Sequence, residues 1–232
     1  MGGAVSASRT SARRLVWCDT EGGVRGVPLW DVSFIEETKE GVCALRYCSV
    51  QSAPKRGRGR LRKVLPSAVY ADLAKSGGAC LARYELSDGE WLAREHVVLD
   101  SSLPTALAAY LLSIDGSVLA AWNMKGHDRH VLERAVGETV LSGLGLWDPL
   151  PWFRSHWGLP KNTLSSCKPG TPRAVFGVNT YGPAHDSMVD AAHMRDVVTR
   201  AAYGYPTKDA DAWKTASGRE MLDAVRAHVE AD

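Results

Sequence analysis

No apolar run in this chain approaches the roughly 20 residues that a helix needs to cross a bilayer, so a membrane-spanning helix is not expected. Cysteine is scarce and unpaired: five residues, an odd number without closely spaced pairs, in settings such as "VWCD", "GVCALRYCSV" and "SSCKPG". That usage argues against a disulfide framework or a zinc ribbon and points to a reducing, intracellular compartment, without separating nucleus from cytoplasm. Cys43 and Cys48, five apart, read as core residues rather than ligands. Net charge is also nearly absent. Twenty-eight basic and 26 acidic residues leave +2, so bulk charge favours no particular partner. There is no internal repeat.

Acidic residues are missing from the first 18 positions, which are rich in Ser, Ala, Gly and Arg. The opening "MGGAVS" formally fits an N-myristoylation pattern at Gly2 with Ser6, and the segment faintly resembles a transit peptide. The expectation for residues 1–13 is a disordered N-terminus.

What remains is ordinary globular composition, 45% hydrophobic and 23% charged, enough for one large domain or two small ones. "RLVWCDTE" (14–21) reads as a short buried strand. "VPLWDVSFIEE" (27–37) and "GVCALRYCSV" (41–50) read as a second and third strand. Residues 51–63 contain the acid-free run "KRGRGRLRK" and read as an exposed basic loop. "LPSAVYADLAKSGG" reads as a helix, while 80–100 fits either a hairpin around "SDGE" or a helix pair. Further on, "SSLPTALAAYLLSIDG" is helical by spacing, "SVLAAW" (117–122) is a short strand, and "HDRHVLERAVG" is a compact helix. "LGLWDPLPWFRSHWG" suggests a strand turning at Asp148-Pro149 into a helix. A loop rich in Pro, Gly and Thr (167–184) leads to the helix "HDSMVDAAHMRDVVTRAAYGY". A last helix, "GREMLDAVRAHVEA", lies in the tail. Three strands followed by alternating strands and helices predict an α/β sheet with an antiparallel meander at one side.

The first strand ends in two acids, Asp19 and Glu21. Residues two apart on a strand share a face, so both carboxylates sit together at the edge of the core. Like charges so placed repel unless a cation lies between them. Asp128 opens a helix directly after the strand 117–122, and His185 and Asp190 flank the start of the long helix. Two strand carboxylates and one at each of two helix starts make a cage suited to hard divalent cations. Two such ions roughly 3.5–4 Å apart can activate water and stabilise a leaving oxygen in phosphodiester hydrolysis. His185 and Asp190 converge only if His185 lies in the loop before the helix, from where it can take a proton from water.

Other readings stay open for each residue. Asp128 fits a helix N-cap, Ser187 and Asp190 fit a weak capping box, and His185 fits a surface loop. Asp186, Asp190 and His193 form a rival ligand set on one helical face.

"DTE" at 19–21, Asp128 within "WNMKGHDRHVL", and the His-x4-Asp of "HDSMVDA" together resemble the three motifs of the DEDDh group. That group belongs to the DnaQ-like 3′–5′ exonucleases, which have a ribonuclease H-like fold. "LWDPLPWFR" is similar to the family's strand-then-Asp segment, and "NTLSSC" to the short helix before its third motif. The resemblance spans about residues 14–203. It implies that Asp19, Glu21, Asp128 and Asp190 hold two Mg²⁺ or Mn²⁺ ions, with Asp19 touching both. It also implies that His185 is the general base and that nucleoside 5′-monophosphates are released from a 3′ end. The chain departs from the family at Gly22, where Thr or Ser is frequent, and at Asn123, which stands five rather than four before Asp128. Both positions fall where the family meets its substrate.

The expected organisation is therefore a disordered 1–13, an exonuclease domain over 14–205 with the basic loop 51–63, and a helical tail over 206–232. The expected fold is a ribonuclease H-like mixed sheet, a three-strand antiparallel meander plus parallel strands, flanked by helices. The expected partner is single-stranded or 3′-overhanging DNA or RNA. Lys55, Arg56, Arg58, Arg60, Arg62 and Lys63 are candidates for its phosphates, since Arg-Gly alternation suits flexible contact with single strands; a solvated loop or a nuclear localisation signal is the alternative. Trp17, Trp122 and Trp147 are expected in the core; Trp152 and Trp157 lie in a helix and loop able to approach the site, with packing the expected role and stacking on a base the alternative. The competing functional class is a catalytically weak ribonuclease H-like module that binds nucleic acid or protein.

Overall fold

Alternating apolar and polar side chains put two different faces on the first strand, and the architecture is built on that difference. A computed structural model describes residues 14–23, 26–38, 41–151, 153, 171–178, 181–182 and 185–202. The expected N-terminal segment 1–13, the tail helix, "NTLSSC", Trp152 and Trp157 lie outside the described residues.

Seven strands form one mixed sheet. They are β1 (Leu15–Glu21), β2 (Asp31–Thr38), β3 (Gly41–Cys48), β4 (Ala79–Ser87), β5 (Glu90–Leu99), β6 (Val118–Ala121) and β7 (Gly145–Trp147). The spatial order is β5-β4-β3-β2-β1-β6-β7. β1 to β5 run as an antiparallel meander, whereas β6 pairs parallel to β1 and β7 parallel to β6. The fold is thus α/β with helices flanking a mixed sheet, consistent with a ribonuclease H-like arrangement. The meander has five strands rather than three. Residues 80–100 form a hairpin, closed by Asp88 and Gly89 with φ of 51° and 81°. Positive φ at both central residues is what a two-residue hairpin turn requires, and Asp-Gly supplies it at low strain.

The helices are α1 (Lys55–Val64), α2 (Ser67–Ser76), α3 (Leu103–Ser113), α4 (Asp128–Val136), α5 (Glu138–Leu141), α6 (Pro172–Phe176) and α7 (Ser187–Ala202). The expected basic loop is therefore mostly a helix. Its charges stay in water while Gly57 and Leu61, one turn apart, bury against Trp30 and the end of the sheet. A basic run reads as a loop when the two residues that anchor it are too few to show a period.

One face of the sheet, carrying Trp17, Ile35 and Ala44, packs on α7 through Ala191, Met194, Val197 and Val198. The other face, with Val16, Cys18, Val32 and Phe34, packs on α3 and α4. Trp17 and Trp147 are core residues as expected, and Trp122 packs at the edge of the same cluster. Asp19 and Glu21 continue the Trp17 row, so they emerge on the α7 face where the apolar packing ends.

Beside them lies a buried ionic network. Asp19 stands opposite Ser33, and Ser33 opposite Arg46, across three adjacent strands. The Arg46 side chain is only 2% exposed. It donates from Nε to Asp31 Oδ1 at 2.9 Å and from Nη2 to Asp31 Oδ2 at 2.6 Å, a bidentate pair. Nη1 also donates to Asp186 Oδ1 at 3.3 Å, and Nη2 lies 3.1 Å from Asp186 Oδ2. Asp186 immediately precedes α7, and its Oδ1 accepts from the backbone N–H of Met188 (3.2 Å) and Val189 (3.3 Å). One guanidinium therefore ties two meander strands to the helix start that bears the third motif. Ser33 and Ser187 add a hydroxyl hydrogen bond of 2.7 Å across the same junction.

Removing Arg46 leaves two buried carboxylates without a counter-charge, a loss of about 3–5 kcal/mol for a broken buried pair. Arg46→Met, which keeps bulk and removes charge, is expected to lower the urea unfolding free energy by about that amount. A loss under about 1 kcal/mol would show that the network does not hold α7 in place.

Candidate metal centre

The site forms where the C-terminal ends of β1 and β6 meet the starts of α4 and α7. β1 supplies Asp19 and Glu21. The turn after β6 delivers Asp128 as the first residue of α4. The carboxylate of Asp128 is buried, and its Oδ1 accepts from the Thr20 N–H at 3.1 Å and the Thr20 hydroxyl at 2.7 Å. Asp128 is thus pointed at β1, and the cap position belongs to His127. The N-cap reading of Asp128 does not hold.

From α7 comes Asp190. Its Oδ2 accepts the His185 backbone N–H at 3.0 Å, while its Oδ1 is shielded from solvent, lies 3.8 Å from His193 Nδ1 and accepts no hydrogen bond within the described residues. His185 sits in the loop ahead of the helix, as convergence demanded, with a left-handed φ of 61° and an exposed side chain. Ligand atoms of Glu21, His185 and Asp190 all lie within 4.8 Å of one another. Asp19 and Asp128 stand next to this trio and not within it.

The rival set is only partly assembled: His193 Nδ1 lies 3.8 Å from Asp190 Oδ1, but the third member is engaged elsewhere. Asp186 is committed to Arg46 and to capping α7. His193 is fully buried, with Nε2 accepting the Tyr181 N–H at 3.3 Å.

Electrostatics show what the arrangement lacks. Burial, followed by the charges of Asp128, Asp190, Glu21 and Asp31, pushes the Asp19 carboxyl well above its ordinary range. Glu21 is raised to about 8, first by burial and then by Asp31, with Arg60 opposing. Asp128 is raised to about 7 by burial, against the Thr20 hydrogen bonds that favour its ionised form. The carboxyl groups of Asp19, Glu21, Asp31, Asp128, Asp186 and Asp190 share the region with two guanidinium groups, Arg46 and Arg60, and Asp148 adds its charge against Asp128. Full ionisation leaves an excess of negative charge of the kind that divalent cations neutralise. Oxygen donors around an unpartnered carboxylate oxygen suit a hard cation of the Mg²⁺ or Mn²⁺ kind. The residues present fit such ions.

Gly22 and Asn123 have conformational roles. Gly22 has φ of 104°, and a Cβ there would meet the Pro28 carbonyl and stand 2.8 Å from Trp30 Cδ1. Neither Thr nor Ser fits this backbone. Asn123 has a left-handed φ of 70° in the turn after β6, and its N–H donates to Asp148 Oδ1 at 3.0 Å. Asp148 is buried and also accepts from Lys125 and Leu150, so it holds the turn that presents Asp128.

The sequence reading missed Thr20, Asp31 and Arg46. Polar residues at alternate positions of β2, Asp31 and Ser33, were the visible signal that one sheet face turns polar there. Their alignment with Asp19 and Arg46 depends on strand register.

The raised carboxyls fix the sign of a pH effect. In the unfolded chain these groups ionise near pH 4, whereas the folded, metal-free protein keeps Glu21 and Asp128 protonated up to about pH 7–8. Between those limits the folded state binds more protons, so its stability falls as pH rises. In EDTA, the Tm difference between Glu21→Gln and the parent should therefore grow in favour of the variant from pH 5 to pH 8, by on the order of 3 °C. Equal profiles would show that Glu21 is not held in an unfavourable charged environment. No protein-family model, curated protein or solved structure matches this chain.

Proposed function

We propose that the protein is a metal-dependent 3′–5′ exonuclease of the DEDDh type, acting on DNA or RNA. The observation that carries this reading is the convergence of Glu21, His185 and Asp190 within 4.8 Å, beside Asp19 and Asp128, in a region with uncompensated negative charge. Asp19, Glu21, Asp128 and Asp190 would hold two Mg²⁺ or Mn²⁺ ions. When bound, such ions supply positive charge that favours a nucleophilic hydroxide and a departing oxygen.

The chain's own groups account for the rest. His185 lies on the solvent side of the carboxylates, its backbone held by Asp190 through its N–H and by Arg60 through its carbonyl, with its imidazole outermost. It takes a proton from the attacking water, whose oxygen bonds to phosphorus as the bond from phosphorus to the upstream 3′ oxygen breaks. The leaving 3′ oxygen takes a proton from solvent water, and a nucleoside 5′-monophosphate departs. Thr20 and Asp148 keep Asp128 in place, and Asp186 with Arg46 does the same for Asp190. Among the described residues no helix is long and apolar enough to cross a membrane.

The test is a gel assay on 5′-labelled single-stranded DNA and RNA with Mg²⁺ or Mn²⁺. A ladder shortening from the 3′ end is expected, absent in EDTA and in Asp19→Ala. His185→Ala should lose about 10²–10⁴ of the rate, the usual contribution of a general base. Full-length strands in every lane would favour the binding-module reading, and near-normal turnover by His185→Ala would remove it from the mechanism.

A further inference from the structure

The run "KRGRGRLRK" is not one patch. In α1 the 3.6-residue period turns Gly57 and Leu61 inward and divides the basic residues between two sides of the helix. Arg56, Arg60 and Lys63 fall on one side, and Lys55, Arg58 and Arg62 on the other. Arg62 lies over the ring of Tyr70, 5.2 Å from its centroid, away from the carboxylates.

The first side borders a cleft of about 240 Å³ whose lining includes Glu21, Trp30, Arg56, Gly57, Arg60 and His185. Gly57 matters to its shape, because a Cβ there would stand 3.1 Å from the Trp30 ring. Arg60 closes the inner end. Nη1 donates to the His185 carbonyl oxygen and lies 3.7 Å from Glu21 Oε2. It thereby joins β1 to the loop before α7. The cleft is smaller than the roughly 300 Å³ at the low end of ligand pockets, and two of its seven lining residues are arginines. It suits a phosphate with its sugar rather than a whole dinucleotide.

We infer that Arg56 and Arg60 form a clamp for a backbone phosphate of a single nucleic-acid strand, with Arg60 the positioning residue that sets this phosphate against Glu21 and His185. The inference rests on the exonuclease reading. A guanidinium offers several N–H donors in a fixed fork, so Arg60 can keep the His185 carbonyl and still donate to a phosphate oxygen. The contact with Glu21 is long and 18% of the Arg60 side chain is exposed, so the strand reaches the guanidinium from the solvent side.

The test is fluorescence anisotropy of a 5′-labelled decathymidylate in Ca²⁺, with a gel to verify that the strand stays intact. Calorimetric Mn²⁺ titration and circular dichroism are run on the same proteins. Arg60→Ala and Arg56→Ala should each weaken strand binding about tenfold and lower the slope of log affinity against log salt by about 0.7. Arg60→Lys should recover part of the loss, Arg58→Ala with Arg62→Ala should stay within about twofold, and Mn²⁺ affinity should not weaken in Arg60→Ala. Equal losses from both sides of α1 would overturn the clamp in favour of diffuse attraction. Unchanged strand binding with tighter Mn²⁺ binding in Arg60→Ala would overturn it too, leaving Arg60 as a neutraliser of Glu21. A parent protein that cleaves strands, with Arg60→Ala its equal in KM, would sink the clamp and leave the exonuclease standing. A parent that neither binds nor cleaves any strand would remove both.

Discussion

A guanidinium group buried between two carboxylates holds the rest of this structure in place. Arg46 lies in the third strand of the sheet, opposite Ser33, where its neighbours Ala44 and Cys48 are fully buried. A lone charge in that position is untenable, so the fold brings Asp31 from the next strand and Asp186 from 140 residues later. Hydrophobic packing alone would allow α7 to slide or rotate over the Ala and Val surface it covers. The Arg46–Asp186 contact limits that freedom, and Asp186 also caps the helix. The start of α7 is therefore fixed in register with β1, which places Asp190 and His185 against Glu21.

The site itself has less compensation. At Arg46 two buried carboxylates share one guanidinium, which opposes the rise that burial and Asp186 give Asp31, whereas the carboxyls of Asp19, Glu21 and Asp128 are raised first by burial and then by neighbouring carboxylates. The arrangement is unfavourable for the metal-free protein and is held by groups that are themselves satisfied: Thr20 on Asp128, Asp148 on the turn before it, Asp186 on the helix behind Asp190. Strain of this kind is tolerated when the scaffold over-determines it, and here the scaffold includes two sheet strands, one capped helix and one buried arginine. Arg60 is the only basic residue of α1 that reaches into this balance, and it does so from the solvent side.

Much of this was legible in the sequence because it depends on local pattern. Alternation placed Asp19 and Glu21 on one face of a strand, and helix spacing showed that His185 and Asp190 converge only from a loop. The α/β order followed from apolar runs and their spacing. What stayed hidden depends on register and on distant pairing. Asp31 and Arg46 look unremarkable until β2 and β3 are aligned, and no local rule shows that Asp186 will find an arginine 140 residues earlier. The helix in the basic segment escaped because Gly57 and Leu61 alone mark its inner face. The hairpin over 80–100 was one of two readings until Asp88 and Gly89 adopted positive φ. Gly22 looked like a lost polar contact, and its geometry shows a backbone that no larger residue fits.

The central claim is that these carboxylates are arranged for two divalent cations. Its most direct measurement is anomalous diffraction from a crystal soaked in Mn²⁺, recorded near the manganese absorption edge. Two peaks among Asp19, Glu21, Asp128 and Asp190, with Asp19 bordering both, are the predicted result. Full occupancy of manganese elsewhere on the surface, with no density between Asp19 and Glu21, would contradict the account.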